Sequence, residues 1–296
     1  MSKKLILLDA YALIYRAHFA FIKNPRINSK GLNTSAIFGF CNSLLEVTNK
    51  FDPSHIGVVF DPPGGSDREG VFADYKANRQ EMPEDIRKAI PYIFDLLKAM
   101  NIKVEMEEGF EADDVIGTLA KQAEKKGFET YMMTPDKDFG QLVSDHIFIY
   151  KPGRSGNPSE ILGPKEVCEK FEVKDPLQVI DILGLWGDAV DNIPGVPGVG
   201  EKTAKKLIST YGSIENLIKN THDLKGKLKE NVENFAEQAI LSKQLATIIL
   251  DCPVEFEESE FSRKEVNEKE LIKLFQQLEF NQLGKRILGK PIIQEK

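Results

Sequence analysis

The chain has 296 residues, 41% hydrophobic and 29% charged, the profile of a soluble globular protein with material for one large or two ordinary domains. A net charge of −7 and a pI near 5.4 argue against a protein that is basic throughout, and no apolar stretch approaches the length of a membrane span. Three scattered cysteines and four histidines offer no ligand-spaced set, which argues against structural zinc and for a reducing, cytoplasmic compartment.

Along the chain, strand-like apolar runs alternate with helical patterns. KLILLD (4–9), whose short apolar run is broken by Asp9 and reads as no signal peptide, precedes a polar loop. A helix over 34–50 follows, with Thr34 at its N-cap. HIGVVFD (55–61) is a second buried strand. The polar, weakly periodic block 61–82 reads as a long excursion from the sheet. A helix over 83–100 contains Pro91 as a kink or break, and IKVEM (102–106) is a short strand. Then come a helix over 111–126 and strands at 129–136 and 146–150.

Nearly continuous apolar strands separated by helices predict a parallel, doubly wound α/β sheet. Beyond about residue 160 the strands largely stop. Helices are expected at 164–171, 176–186, 201–210, 213–219, 230–247 and 267–279, with an extended piece at 254–261. The division is therefore an α/β domain over 1–160 and a helical region over 161–296.

Carboxylates recur where such a sheet forms its ligand crevice, at the C-terminal ends of its strands. Asp9 ends the first strand, Asp61 the second, and Asp136 follows a later one, with Asp138 two residues on. EGFEADDVIG (108–117) adds Glu111, Asp113 and Asp114 at a helix start that should share that edge. Any one of these acids reads equally well as turn or helix-start chemistry, since a helix N-terminus favours negative charge by roughly 0.3–1 kcal/mol. Seven on one rim would repel unless a divalent cation compensated them. Mg²⁺, which takes oxygen ligands and keeps waters, suits such a set. Two such ions about 3.5–4 Å apart are the common clamp for displacement at phosphorus.

GLWGDAVDNIPGVPGVGEKTAKKL (184–207) adds Asp188 and Asp191, then a glycine-rich turn into a lysine-bearing helix. A P-loop is excluded, because Glu201 intrudes before Lys202 and Thr203 and no strand precedes the turn. A helix–hairpin–helix over about 184–210 fits better. Gly195, Gly198 and Gly200 permit tight turns, exposed N–H groups suit phosphate, and Lys202, Lys205 and Lys206 supply charge to a DNA backbone without reading sequence. Such a hairpin can also bind a monovalent cation. Residues 201–230 carry seven lysines against four acids, a local net of +3 that leaves −10 elsewhere, so the molecule is polarised.

These motifs, with LLDAYALIYRAHFA, VVFDPPG, ADYKANR and TPDKDFGQLV, resemble the flap endonuclease family, in particular the 5′→3′ exonuclease domain of bacterial DNA polymerase I. The resemblance covers almost the whole chain and implies a PIN-like, mostly parallel twisted sheet with helices on both faces. It implies cleavage of DNA at 5′ flaps and at nicked or gapped duplexes, with two Mg²⁺ ions, for which Mn²⁺ substitutes, and K⁺ at the hairpin. The family's nine acids map onto Asp9, Asp61, Glu111, Asp113, Asp114, Asp136, Asp138, Asp188 and Asp191. A helical arch is implied over about 67–90, in which Lys76 and Arg79 act at the scissile phosphate. Tyr15, Arg16, Tyr75, the three hairpin glycines, Lys202, Thr203, Lys205 and Lys206 are the implied DNA contacts. The resemblance further implies a monomer, free-standing or fused to proofreading and polymerase domains. A PIN-type ribonuclease and a catalytically silent flap-binding module are the competing readings, disfavoured by the hairpin and by the full acid set respectively.

Overall fold

In strand β1 (Lys3–Asp9) alternate side chains enter two different cores: Leu5 and Leu7 pack on one face of a sheet, Ile6 and Leu8 on the other. Both sets are fully buried, so a sheet covered on both faces is already required. The computed structural model, which describes residues 3–153 and 157–292, builds that sheet from six strands in the order β3-β2-β1-β4-β5-β6. The others are β2 (His55–Val59), β3 (Lys103–Glu105), β4 (Phe128–Met133), β5 (Ile147–Lys151) and β6 (Glu160–Leu162). All pairs are parallel except the antiparallel edge pair of β5 and β6. The chain moves outward from β1 to β2 and β3, then returns to place β4 on the opposite side of β1. That reversal opens a crevice beyond the carboxyl ends of β1 and β4.

One face is covered by α1 (Ala10–Ala20), α2 (Ser35–Phe51) and α4 (Glu84–Ala99), after a single helical turn, α3 (Arg68–Val71). The other is covered by α5 (Ala112–Lys125) together with the helical half of the chain. That half comprises α6 (Pro164–Phe171), α7 (Gln178–Trp186), α8 (Glu201–Tyr211), α9 (Ile214–Lys219), α10 (Gly226–Asn234), α11 (Ala236–Ala246) and α12 (Glu258–Phe261). The last helices return to this side: α13 (Glu268–Leu278) packs with α4, α14 (Asn281–Leu288) packs with α13, and both share the core of α1 and α2. The helical region expected over 161–296 therefore contributes to both faces. No helix among the described residues is long and apolar enough to cross a membrane.

Several local expectations are corrected. The segment after Asp9 is helix α1, not a polar loop, because Leu13, Ile14 and Ala17 bury a face against the sheet. Thr34 occupies the N-cap position of α2 but spends its hydroxyl on the Arg26 carbonyl, 3.0 Å away. Helix α4 runs through Pro91 unbroken, held on both sides of it by buried Ile86, Ala89, Ile93 and Leu96. The helix expected over 230–247 is two helices that meet at Phe235. Of the extended piece expected over 254–261, residues 258–261 instead form α12, whose Phe261 ring packs against Gly57 of β2. A Cβ at Gly57 would lie 2.6 Å from that ring, so only glycine admits the contact. The excursion expected to arch over 67–90 has one helical turn, α3, and then turns that fold down onto the strand ends before α4 begins at Glu84.

A carboxylate crevice at the strand ends

Asp9 serves two purposes at once. It is the N-cap of α1, accepting from Ala12 N at 3.1 Å, and its other oxygen accepts from the Thr134 hydroxyl at 3.0 Å. Asp61, two residues past β2, accepts from Ala112 N at 3.0 Å, which ties the second strand to the start of α5. Asp136 accepts from Asp138 N at 2.9 Å in the turn after β4. In the loop between α7 and α8, Asp188 accepts from Val190 N at 2.8 Å and pairs with Lys137. The local geometry that places each acid is thus the bland turn and cap chemistry of any strand end. Only their convergence is unusual.

That convergence shows in their electrostatics. Burial pushes the Asp9 carboxyl up to about 7, helped by Asp61 and Asp136 nearby. Burial also raises Asp61, and Asp136, though exposed at its edge, is raised by its desolvated surroundings with Asp191 and Asp188 adding to the effect. Asp113 and Asp138 are held well above the usual carboxylate range, by burial first, then by Asp114 beside the one and Asp136 beside the other. Glu111 goes the other way: burial would raise it, but Lys76 and Arg68 outweigh that.

Eight of the nine predicted acids therefore divide into three groups. Glu111 and Asp191 are met by cations from the 62–82 excursion: Lys76 Nζ lies 2.6 Å from Glu111 and 3.9 Å from Asp191, and Arg79 lies 2.6 Å from Asp191. Asp138 and Asp188 flank Lys137, which also lies over the Trp186 ring. Asp9 lies close to Asp61 and Asp136, Asp113 lies beside Asp114 and Glu111, and among the described residues none of these four, Asp9, Asp61, Asp113 and Asp136, has an ion pair within 4 Å.

Asp114 departs from the expected metal set. It is completely buried, receives both arms of the Arg68 guanidinium at 2.6 and 2.7 Å, and accepts from Glu111 N at 3.1 Å and Ile249 N at 2.8 Å. With both oxygens committed, it fastens the site rather than facing the crevice. Arg68 itself was not singled out in the sequence. Its signal was a lone cation inside a polar, glycine-rich block, GGSDREGVF, and nothing local says that it is buried. Ser66 and Thr134, which donate to Glu111 and Asp9, were missed for the same reason.

Other predicted contacts are redistributed too. Tyr75 is buried, and its hydroxyl donates to Glu111 at 3.1 Å, so it shapes the site instead of offering a surface. Tyr15 is half-buried at the edge of the core beside Phe19, and Arg16 donates to the Gly153 carbonyl. Gly195 is buried where the hairpin backbone crosses the end of α7. A Cβ there would come within 2.5 Å of Gly187 N, so its glycine serves packing and not a ligand. Lys205 is tied to the Lys170 carbonyl at 2.9 Å and to Glu201 at 2.8 Å. Gly198, Gly200, Lys202 and Lys206 are exposed and Thr203 half-exposed, all at or beside the N-terminus of α8.

An oxygen-only, partly uncompensated set of acids fits a hard divalent cation. One buried atom makes the fit specific: Asp138 Oδ1 has no hydrogen-bond partner, and Lys137 Nζ stands 3.6 Å away, past hydrogen-bonding distance. Among the described residues no three acids close into a tight ligand cage. An ion here would take few direct carboxylates, the rest acting through its water shell, as Mg²⁺ commonly does.

Comparison with known proteins follows the same lines. Residues 4–172 match the description "5′-3′ exonuclease, N-terminal resolvase-like domain", and residues 174–269 match "5′-3′ exonuclease, C-terminal SAM fold". A DNA polymerase I of Bacillus subtilis is 42% identical over 96% of the chain, which spans 32% of that relative, so the chain covers about a third of the polymerases it resembles. A 5′-3′ exonuclease of Aquifex aeolicus is 36% identical over 96% of the chain and 95% of its own length. Among solved structures, the zinc-bound T5 5′-exonuclease superposes with a TM-score of 0.69 at 19% identity, over 97% of this chain and 99% of that one. The flap endonuclease-1 of Methanococcus jannaschii gives 0.63 at 16%, over 97% and 91%. At those identities the likeness concerns the fold.

Proposed function

The chain belongs to the 5′-3′ exonuclease family, and from that premise we propose that it hydrolyses DNA phosphodiester bonds at 5′ flaps and at nicked or gapped duplexes. The observation that carries the reading is the crevice at the reversal point of the sheet, where Asp9, Asp61 and Asp136 crowd together with raised carboxyl pKa values while Lys76 and Arg79 pair with Glu111 and Asp191 alongside. Pure binding of a polyanion would gain nothing from a negative crevice. Phosphoryl transfer needs cations positioned around such a centre more than it needs a nucleophilic side chain.

In this reading Asp9, Asp61, Asp113, Asp136 and Asp138 hold two Mg²⁺ ions, directly or through water, with Mn²⁺ as an alternative. When bound, such ions polarise the phosphate and offset its developing charge. Lys76 and Arg79 neutralise phosphate oxygens, and Glu111, Asp188 and Asp191 orient those cations and Lys137. The exposed hairpin N–H groups and Lys202 and Lys206 grip duplex backbone away from the cut, as a helix–hairpin–helix would. Removal of primers or flaps in replication and repair is the corresponding role.

Cleavage of a 5′-labelled flap duplex tests this. Cutting at the flap junction with Mg²⁺, abolished by EDTA, is expected. Binding without cutting would favour a silent recognition module, and cutting only a matched single-stranded RNA would favour a ribonuclease. A second check concerns the hairpin. Lys202→Ala should weaken binding to all duplex sequences alike and reduce the log–log salt slope by about one. A sequence-dependent loss would move Lys202 off the phosphate backbone.

A further inference from the structure

The excursion that carries Lys76 and Arg79 is fastened to the loop that carries Asp188 and Asp191, and two of the fastenings have no part in the chemistry described so far. Lys76 N donates to the Asp191 carbonyl at 2.9 Å, and the Arg79 guanidinium pairs with the Asp191 carboxylate at 2.6 Å. On either side of these lie two side-chain amides. Asn78 Nδ2 donates to the Ala189 carbonyl, and Asn192 Nδ2 donates to the Asp74 carbonyl, each at 2.6 Å. The exchange is reciprocal, since each segment sends an amide to the backbone of the other.

We propose that Asn78 and Asn192 form a two-amide latch that positions Lys76 and Arg79 over the carboxylate crevice. The excursion needs such a hold. Between α3 and Glu84 it has turns and no longer helix, so its conformation is not set by a continuous ladder of its own. An ion pair alone positions poorly, because a long cationic side chain reaches one acid from many backbone placements and yields to any competing ion. A neutral amide on a backbone carbonyl is short and directional, and it competes with neither metal nor phosphate.

Backbone strain points the same way. Lys76 and Asn192 both take left-handed conformations, with φ of +56°, at the two points where the segments touch. For lysine this is uncommon and persists only where surrounding bonds impose it. Its amide bond to Asp191 and the two flanking amides are the neutral bonds that tie the two segments there. Asparagine tolerates that conformation well and carries the donor as well. Neither asparagine is placed in contact with the reacting phosphate, so both are positioning residues.

The latch rests on the nuclease reading only for its kinetic arm. The variants are Asn78→Ala, Asn192→Gly and the double change. Asn192→Gly keeps the left-handed backbone accessible while removing the side-chain amide, which tests the bond without forbidding the turn. Each single variant should lower the single-turnover cleavage rate about 10- to 100-fold, with flap affinity and melting temperature close to those of the unaltered protein. The double variant should lose no more than the worse single one, since a latch opened on one side is open. Independently of cleavage, hydrogen exchange at the Lys76 amide should quicken about tenfold in every variant. Failure of the unaltered protein to cut would sink the nuclease reading and leave the exchange measurement to decide the latch. Unchanged exchange, a loss confined to affinity, or Asn192→Gly cutting at the full rate would overturn the latch.

Discussion

Lys76→Ala should lower the single-turnover rate of flap cleavage by about 10²–10³, the usual loss when one preorganised charge or donor is removed from a reacting centre. The structure gives the reason. Burial alone would lower the Lys76 pKa, but Glu111 and Asp191 outweigh it and raise the value, so the ammonium stays charged throughout the working range. It stands 2.6 Å from Glu111 on a backbone fixed by the Asp191 carbonyl, at the edge of acids that have no such partner. A charge held this way stabilises a phosphate in its transition state without first reorganising. Affinity should change little if the duplex backbone is held at the hairpin as proposed. Rapid-quench kinetics at saturating enzyme separate the two effects. If the rate holds and only affinity falls, Lys76 is a docking residue and the chemistry must be assigned to other cations.

Arg68→Ala should destabilise the fold by about 3–5 kcal/mol, the cost of leaving a buried acid without its partner. Arg68 and Asp114 are both buried and joined by two bonds of 2.6 and 2.7 Å, and the guanidinium also reaches the Thr247 carbonyl at 3.0 Å. Asp114 in turn receives Ile249 N, so one ion pair ties the base of the excursion, the start of α5 and the stretch after α11 together. Removing arginine leaves the buried Asp114 carboxyl with two backbone donors as its remaining hydrogen-bond partners. Denaturant unfolding of Arg68→Ala, Asp114→Asn and the double variant measures the pair. The double variant should lose clearly less than the two single losses combined. Strict additivity would mean that the pair is incidental. Activity should fall with stability here, since Arg68 also lies 3.3 Å from Glu111.

The sequence made much of this protein legible, and for identifiable reasons. Apolar strand runs, helix periodicity and glycine turns act over a few residues, so the parallel sheet, the helix at EGFEAD and the glycine-rich turn before Lys202 could be read directly. The acids at Asp9, Asp61 and Asp136 were legible because a parallel sheet brings its strand ends to one edge whatever the side chains do. Local pattern misled where burial came from far away. The segment 10–20 became a helix because the sheet lay beneath it, and 258–261 turned into helix where extended chain was expected, with Phe261 packed against distant Gly57.

What only the tertiary structure decided is how the charges are shared. In sequence Glu111, Asp113 and Asp114 are three equivalent carboxylates, but Arg68 takes one of them, Lys76 takes another, and Asp113 is left to the crevice. Lys202, Lys205 and Lys206 are likewise three equivalent lysines until Lys170 and Glu201 claim Lys205. A residue's type and spacing follow from the chain alone. Whether its charge is spent on a neighbour or kept for a ligand depends on which distant group folds against it, and no local pattern carries that.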